Sequence, residues 1–82
     1  MPKGTAKEMS ARAPGEQLWR LRKREHRVEA ELRDRGKSGV EVKFFYDGTP
    51  AHRRVWPTRS QAMEDADRTR ADLERSGWIL HW

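Results

Sequence analysis

Basic side chains recur at alternate positions in the first half of the chain, the spacing that places them on one side of a β-strand. Arg20 and Arg22 form one such pair, and Arg27 and Arg33 bracket a second alternating stretch. A guanidinium group donates paired hydrogen bonds, which suit phosphates, base edges and carboxylates. The spacing therefore predicts a surface that binds such groups, either from a partner or from the same chain. The candidate residues are Arg20, Arg22, Arg27, Arg33, Lys43, Arg53 and Arg54.

Carboxylates fall on the same predicted side as these cations. Glu29, Glu31 and Glu41 would each pair with an arginine of a neighbouring strand. Such a cross-strand pair contributes about 0.2–1 kcal/mol to stability. A carboxylate on a surface that faces phosphates is unfavourable unless it accepts a hydrogen bond from cytosine. Two interpretations of this side stay open, a set of internal ion pairs and a nucleic-acid-binding face.

The positive charge is concentrated before residue 58. The net charge is +5, and residues 1–57 hold 14 Lys and Arg against 8 Asp and Glu. Residues 58–82 hold 4 arginines against 5 carboxylates. This asymmetry favours a polyanionic partner such as nucleic acid. Lys3, Lys7 and Arg12 of the N-terminal stretch would add non-specific phosphate contacts.

No residue pattern indicates catalysis or a cofactor. Gly36-Lys37-Ser38 ends like a phosphate-binding loop, but Glu31 stands where that loop needs its first glycine. The chain has no cysteine, and its histidines lack the spacing of metal ligands. At 82 residues, the chain is short for a deep substrate cleft. We expect no enzymatic activity, metal, cofactor or small-molecule substrate.

The pattern from residue 40 to residue 56 predicts a β-hairpin. Val40 to Tyr46 alternates apolar residues with mostly charged ones and is rich in strand formers. Asp47-Gly48 is a typical tight-turn dipeptide. The return strand is predicted from about Ala51 to Trp56, where Pro57 ends the pairing.

A helix is predicted from about Arg59 to Arg75. Thr58 and Gln61 match the capping-box pattern at its start, and Gly77 follows its end as a helix-terminating residue. An apolar stripe at helical spacing predicts the buried side of this helix. The stripe consists of Ala62, Met63, Ala66, Thr69 and Leu73.

Residues 16–35 are consistent with either one helix or two strands. The stretch from His26 to Gly36 is rich in Glu, Ala, Leu and Arg, which favours a helix. Yet Val28, Ala30 and Leu32 alternate strictly with charged residues, as in a strand with one solvated side. The connection Arg24-Glu25-His26 contains no usual turn residue. The residues alone leave the two interpretations even.

A resemblance favours the two strands. The segments "LWRLRK", "VEAELRDRGKSGVEVKFFYDG" and "RRVWPTR" resemble a group of short bacterial proteins of uncharacterised function, over roughly residues 17–78. The resemblance implies an α+β fold, a four-stranded antiparallel meander packed on one C-terminal helix. The chain departs from the group at Arg24-Glu25-His26, where a glycine-containing turn is usual. The side facing the helix would then carry Trp19, Leu21, Val28, Ala30, Leu32, Val40, Val42, Phe44 and Tyr46.

A second resemblance concerns DNA-binding domains. "VEAELRD" followed by "RRVWPTRSQAMEDADR" is similar to the plant ethylene-response-factor type of domain, and the fold is similar to the arm-binding domains of phage integrases. Both use a three-stranded sheet backed by a helix. In the plant family, Arg and Trp on the uncovered side of the sheet enter the DNA major groove, which implies the same role for the arginines here.

The chain ends on an apolar segment, Trp78-Ile79-Leu80-His81-Trp82. Leaving such a segment in water is unfavourable, so it is expected to pack on the protein's own core or on a partner. The candidate partner-binding residues are Trp78, Leu80 and Trp82 of this segment, together with the outward-facing Phe45. No signal peptide or membrane-length apolar run is visible, which predicts a cytoplasmic protein without a membrane partner.

These patterns predict a flexible basic tail over residues 1–15 and a single α+β domain over residues 16–82. The leading hypothesis for function is a small protein that binds DNA or RNA through the uncovered side of its sheet. The alternative is a non-enzymatic protein-interaction module, either a homodimer or an accessory or inhibitor subunit of a larger complex, that uses the C-terminal Trp-rich segment.

Overall fold

The predicted α+β architecture is confirmed in a computed structural model of the chain that describes residues 15–81. The strands pair in the order β4-β3-β2-β1-β5, all antiparallel, and one helix covers one side of the sheet. Residues 1–14 of the predicted tail and Trp82 lie outside the described residues. The elements are β1 (Glu16–Lys23), β2 (His26–Asp34), a short 3-10 helix (Gly36–Ser38), β3 (Val40–Tyr46), β4 (Thr49–Trp56), α1 (Arg59–Arg75) and β5 (Ile79–Leu80).

The ambiguous stretch from His26 onward is a strand. Its alternating apolar residues point toward α1, where Ala30 is 0% exposed and Leu32 is 3% exposed. Burial of these side chains against the helix outweighs the helix propensity of the charged residues between them. The β1–β2 turn forms without a glycine because Arg24 itself adopts the left-handed conformation, with φ of 59°.

The β3–β4 hairpin forms at the predicted dipeptide. Asp47 and Gly48 both have positive φ, 50° and 84°, as the favoured two-residue hairpin turn requires. Because the turn takes only these two residues, β4 begins at Thr49, two residues earlier than predicted. A bulge beside Phe44 and Phe45 absorbs one extra residue of β4.

The core lies between the sheet and α1. Ala62 and Ala66 of α1 are fully buried, and their small side chains let the helix lie close to the sheet. The Trp19 indole Nε1 donates a hydrogen bond to the Ala66 carbonyl at 3.1 Å, which satisfies the polar atom of a buried ring. The buried apolar residues are Trp19, Leu21, Ala30, Leu32, Val40, Val42, Phe44, Ala62 and Ala66.

The helix begins as its sequence predicts. The Thr58 side chain accepts a hydrogen bond from the Gln61 backbone N–H at 3.2 Å, which satisfies one of the free donors at the helix start. No helix within residues 15–81 is long and apolar enough to cross a membrane.

The C-terminal segment packs on its own chain and also extends the sheet. Trp78 packs against the core, with its ring 6.4 Å from that of Tyr46. Ile79 and Leu80 then pair with Arg22 and Leu21 of β1. Two residues are too few to show a period, so the sequence does not predict this short fifth strand.

Candidate nucleic-acid interface

The side of the sheet opposite α1, called the free face below, presents an ordered array of charged side chains. The strand register sets them in rows that cross the sheet, with Arg20, Glu29 and Phe45 in one row. The next row holds Glu31, Lys43 and Arg53. The remaining rows place Arg22 beside Arg27, and Glu41 between Arg33 and Val55.

The glutamates of the free face all form ion pairs with arginines. Arg20 Nε lies 3.7 Å from Glu29 Oε2, and Arg33 Nη2 lies 3.0 Å from Glu31 Oε1. The predicted cross-strand pairing is present for Glu29 with Arg20 and for Glu41 with Arg53, whereas Glu31 pairs with Arg33 of its own strand. These pairs are partly exposed, so each contributes no more than about 1 kcal/mol to stability.

Glu41 is the best-paired carboxylate of the free face. It is 2% exposed, beneath the side chains of two arginines. Arg53 Nη1 donates to its Oε2 at 2.6 Å and Arg35 Nη1 to its Oε1 at 3.2 Å. Burial raises the pKa of Glu41, but the hydrogen bonds from Arg53 and Arg35 and the charges of Arg53 and Lys43 outweigh it, so the pKa lies below its usual range. The sequence could not reveal this burial, because Glu41 faces away from the core.

Three cations of the free face form no close ion pair, although the charge of Lys43 acts on Glu41 and that of Arg27 on Asp47. Within residues 15–81, Arg22, Arg27 and Lys43 have no carboxylate oxygen within 4.0 Å of a side-chain nitrogen. Arg22 and Arg27 are exposed and directly opposite one another on β1 and β2. Two like charges at opposed positions repel, so an external anion between them would be stabilising.

Arg54 is on the other side of the sheet from the remaining candidates. Its Nε and Nη2 each donate to an Asp65 carboxylate oxygen at 2.7 Å, and its guanidinium carbon lies 5.1 Å from the centre of the Phe44 ring. Both Arg53 and Arg54 are candidates from the sequence. The structure places Arg53 on the free face, and Arg54 is held against α1.

Asp65 anchors β4 to α1. It is 4% exposed, and it also accepts a hydrogen bond from Trp56 Nε1 at 2.9 Å. Burial raises the pKa of Asp65, but the hydrogen bonds from Arg54 and Trp56 and the charges of Arg54 and Arg68 outweigh it and lower that pKa. The sequence does not reveal this role of Asp65, because its partners lie on another element.

The two sides of the domain differ in charge. The free face carries more basic than acidic residues, whereas α1 carries 4 arginines and 5 carboxylates. Several of the α1 charges pair within the helix, such as Arg70 with Glu74 at 3.1 Å. The basic residues on the free-face side are Arg20, Arg22, Arg27, Arg33, Arg35, Lys43 and Arg53, and the acidic ones are Glu29, Glu31 and Glu41, with Asp47 opposite Arg27 just after the end of β3.

The candidate partner-binding residues do not form one patch. Phe45 is half-buried on the free face. Leu80 pairs with the core residue Leu21 and therefore lies toward the helix side, 45% exposed. Trp78 packs against the core, and Trp82 is outside the described residues.

The histidines do not form a metal site. No group of three or more His, Cys, Asp or Glu residues within residues 15–81 is placed to hold a metal ion. His26 instead lies with Nδ1 2.8 Å from Asp47 Oδ2 and stacks on Tyr46. Hydrogen bonds from His26 and the Arg27 backbone N–H lower the pKa of the Asp47 carboxyl. Sequence reasoning missed this contact, since Asp47 lies 21 residues after His26 along the chain.

Comparison with known proteins adds no assignment, since no family model, curated protein or solved structure matches this chain. Function is therefore inferred from the residues of the free face.

Proposed function

We propose that this protein binds nucleic acid through the free face of its sheet. The observation that supports this most is the segregation of charge. Within residues 15–81 the free face carries an excess of cations, three of which form no ion pair within 4.0 Å, while the helix carries 4 arginines against 5 carboxylates. Such a surface attracts phosphates over distances of about a Debye length, roughly 8–10 Å at physiological salt.

The ion pairs on the free face limit the proposal without removing it. Glu29 and Glu31 each neutralise one arginine, and Glu41 is shared by two. Because Glu41 is buried beneath Arg35 and Arg53, its charge is covered by guanidinium groups that are 48% and 59% exposed. A polyanion that approaches this part of the face meets those arginines before the carboxylate.

The test compares two triple variants that lose the same charge from opposite sides of the domain. One replaces Arg22, Arg27 and Lys43 with glutamine. The matched control replaces Arg68, Arg70 and Arg75 of α1 with glutamine. Affinity for a fluorescent oligonucleotide is measured by anisotropy over a range of salt concentrations.

The free-face variant should bind at least tenfold more weakly than the wild type, with a salt dependence that is shallower by about two units in the logarithmic slope, because each lost phosphate contact removes roughly 0.7–0.9. The control should bind nearly as the wild type does, apart from a small effect of net charge. Equal losses in the two variants, or no binding by the wild type at low salt, would contradict the proposal.

The exposed part of the C-terminal segment supports a second candidate function, protein–protein interaction. Ile79 is 56% exposed and Leu80 is 45% exposed, although both are apolar and lie at a sheet edge, where another chain could pair. Truncation after Gly77, followed by sedimentation and circular dichroism, tests this candidate. A folded monomer formed from a dimeric parent would support an interface. Loss of folding, or an unchanged association state, would count against it.

A further inference from the structure

Phe45 differs from the other aromatic residues in its position. Within residues 15–81 it is the one aromatic residue that points to the free face, since Trp19, Phe44, Tyr46 and Trp56 alternate to the helix side and Trp78 packs on the core. Its ring is half-buried rather than covered. An aromatic ring on a charged, open sheet gains little from the protein's own core, but it offers a flat surface on which a base can stack.

Cations that form no close ion pair flank Phe45 in the rows on either side of it. Lys43 lies two residues before Phe45 on β3, about 7 Å away along the strand. Arg27 lies opposite Asp47, whose backbone N–H donates a hydrogen bond to the Arg27 carbonyl at 2.9 Å. Since Asp47 is two positions after Phe45, Arg27 is a diagonal neighbour of Phe45 at roughly 7–8 Å. Arg22 adjoins Arg27 on β1. Directly opposite Phe45 is Glu29, which is paired with Arg20.

The width of the free face determines which form of nucleic acid fits. Strands β1 to β4 form one side-by-side sheet, and neighbouring strands are about 4.8 Å apart, so the outer strand axes are about 14 Å apart before side chains are counted. The major groove of B-form DNA is about 12 Å wide, so this four-stranded face cannot enter it as a whole. Bases inside a duplex are also stacked on one another and are not open to the ring of Phe45.

We propose that the free face binds single-stranded nucleic acid, with one base stacked on Phe45 and the adjacent phosphates held by Arg22, Arg27 and Lys43. This inference rests on the proposed function and specifies its ligand. The chemistry required is a base with an accessible ring face next to phosphates, which both DNA and RNA strands supply.

The experiment measures binding of the full chain to an oligothymidylate of roughly 12 nucleotides, to the same length of oligouridylate, to a duplex and to an abasic strand. Phe45→Leu removes the aromatic ring and keeps an apolar side chain, while Phe45→Trp keeps a ring. Thermal unfolding of each variant shows that it is folded at the temperature of the assay.

The wild type should bind at least one of the two single strands more tightly than the duplex. Phe45→Leu should weaken binding of that strand about fivefold or more, which corresponds to roughly 1 kcal/mol. It should leave binding of the abasic strand unchanged, and Phe45→Trp should bind as the wild type does. The relative affinity of the two single strands identifies the preferred sugar.

Duplex binding as tight as that of both single strands, or wild-type binding by Phe45→Leu, would overturn this inference while nucleic-acid binding itself remained. If Phe45→Leu were unfolded, folded Phe45→Trp would decide the matter. Weaker single-strand binding by Phe45→Trp than by the wild type would overturn the inference, and equal binding would support it. Absence of binding to every strand at low salt would instead overturn the proposed function.

Discussion

Glu41 offers a substitution that should change stability and nucleic-acid affinity in opposite directions. In Glu41→Gln, the buried side chain keeps its shape and one acceptor oxygen but loses the negative charge that holds Arg35 and Arg53. The free face then gains one unit of positive charge, and two arginines become available to phosphates. A purely structural cluster of ion pairs would show only the loss of stability.

The expected size of the stability loss follows from the exposure of the partners. Arg35 and Arg53 are 48% and 59% exposed, so water screens both pairs and each contributes at most about 1 kcal/mol. The free energy of unfolding should therefore fall by about 1–2 kcal/mol. For a domain of this size, each kcal/mol lowers the melting temperature by roughly 4–8 °C.

The expected gain in affinity comes from the two released arginines. If both contact phosphates, the logarithmic salt slope for a single strand steepens by up to about 1.4. Binding at low salt should tighten by roughly threefold to tenfold, on the order of 1 kcal/mol. Anisotropy titrations over a salt series, on protein shown to be folded by circular dichroism, measure both quantities.

A matched control separates local from overall charge. Glu74→Gln removes the same charge from α1, where Glu74 pairs with Arg70, and it should change affinity little. The reasoning is refuted if folded Glu41→Gln binds no more tightly than the wild type, or if Glu74→Gln gives the same gain.

Three further predictions concern the fold. Asp65→Ala should lower the free energy of unfolding by about 2–4 kcal/mol, because it leaves the partly exposed Arg54 without its carboxylate. Urea titrations measure this change, and a loss below about 0.5 kcal/mol would show that the pair is unimportant. The lowered pKa values of Asp65 and Glu41 mean that their stabilisation is complete above the ordinary values of 3.8 and 4.5 and is lost as the pH falls below them. Melting temperatures measured from pH 6 down to pH 2 should therefore decline below about pH 4.5. The decline should be less steep in Asp65→Asn than in the wild type, and equal slopes of melting temperature against pH would contradict the role of Asp65. Gly39→Ala should cost about 2 kcal/mol or more, since its Cβ would lie 2.7 Å from the Trp56 carbonyl at a φ of 102°, and wild-type denaturant stability would be inconsistent with that contact.

The sequence predicted the elements whose local patterns agree with their burial. The bounds of β3 and α1 match their predicted ranges, because alternation, the Asp47-Gly48 turn and the Thr58 cap all favour the same structure. The stretch from His26 had conflicting signals, because its glutamates favour a helix while its alternation favours a strand. Tertiary packing decided between them, and no short window of sequence contains that packing.

The candidate site was predictable in composition but not in pairing. Alternation placed Arg20, Arg22 and Lys43 on the free face, which the strand register confirms. It could not distinguish Arg53 from Arg54, because the two neighbours point to opposite sides and a β-bulge shifts the register beside them. Nor could it show which cations are neutralised, since ion pairs depend on side-chain reach across strands rather than on spacing along the chain.

The most direct test of the central claim is a nuclear magnetic resonance titration of the labelled full chain with a single-stranded oligonucleotide. Binding through the free face predicts that the backbone amide and side-chain signals of Arg22, Arg27, Lys43 and Phe45 shift in proportion to occupancy, while signals from the outer side of α1 stay in place. Shifts concentrated in α1 or β5, or none at saturating oligonucleotide in low salt, would contradict it.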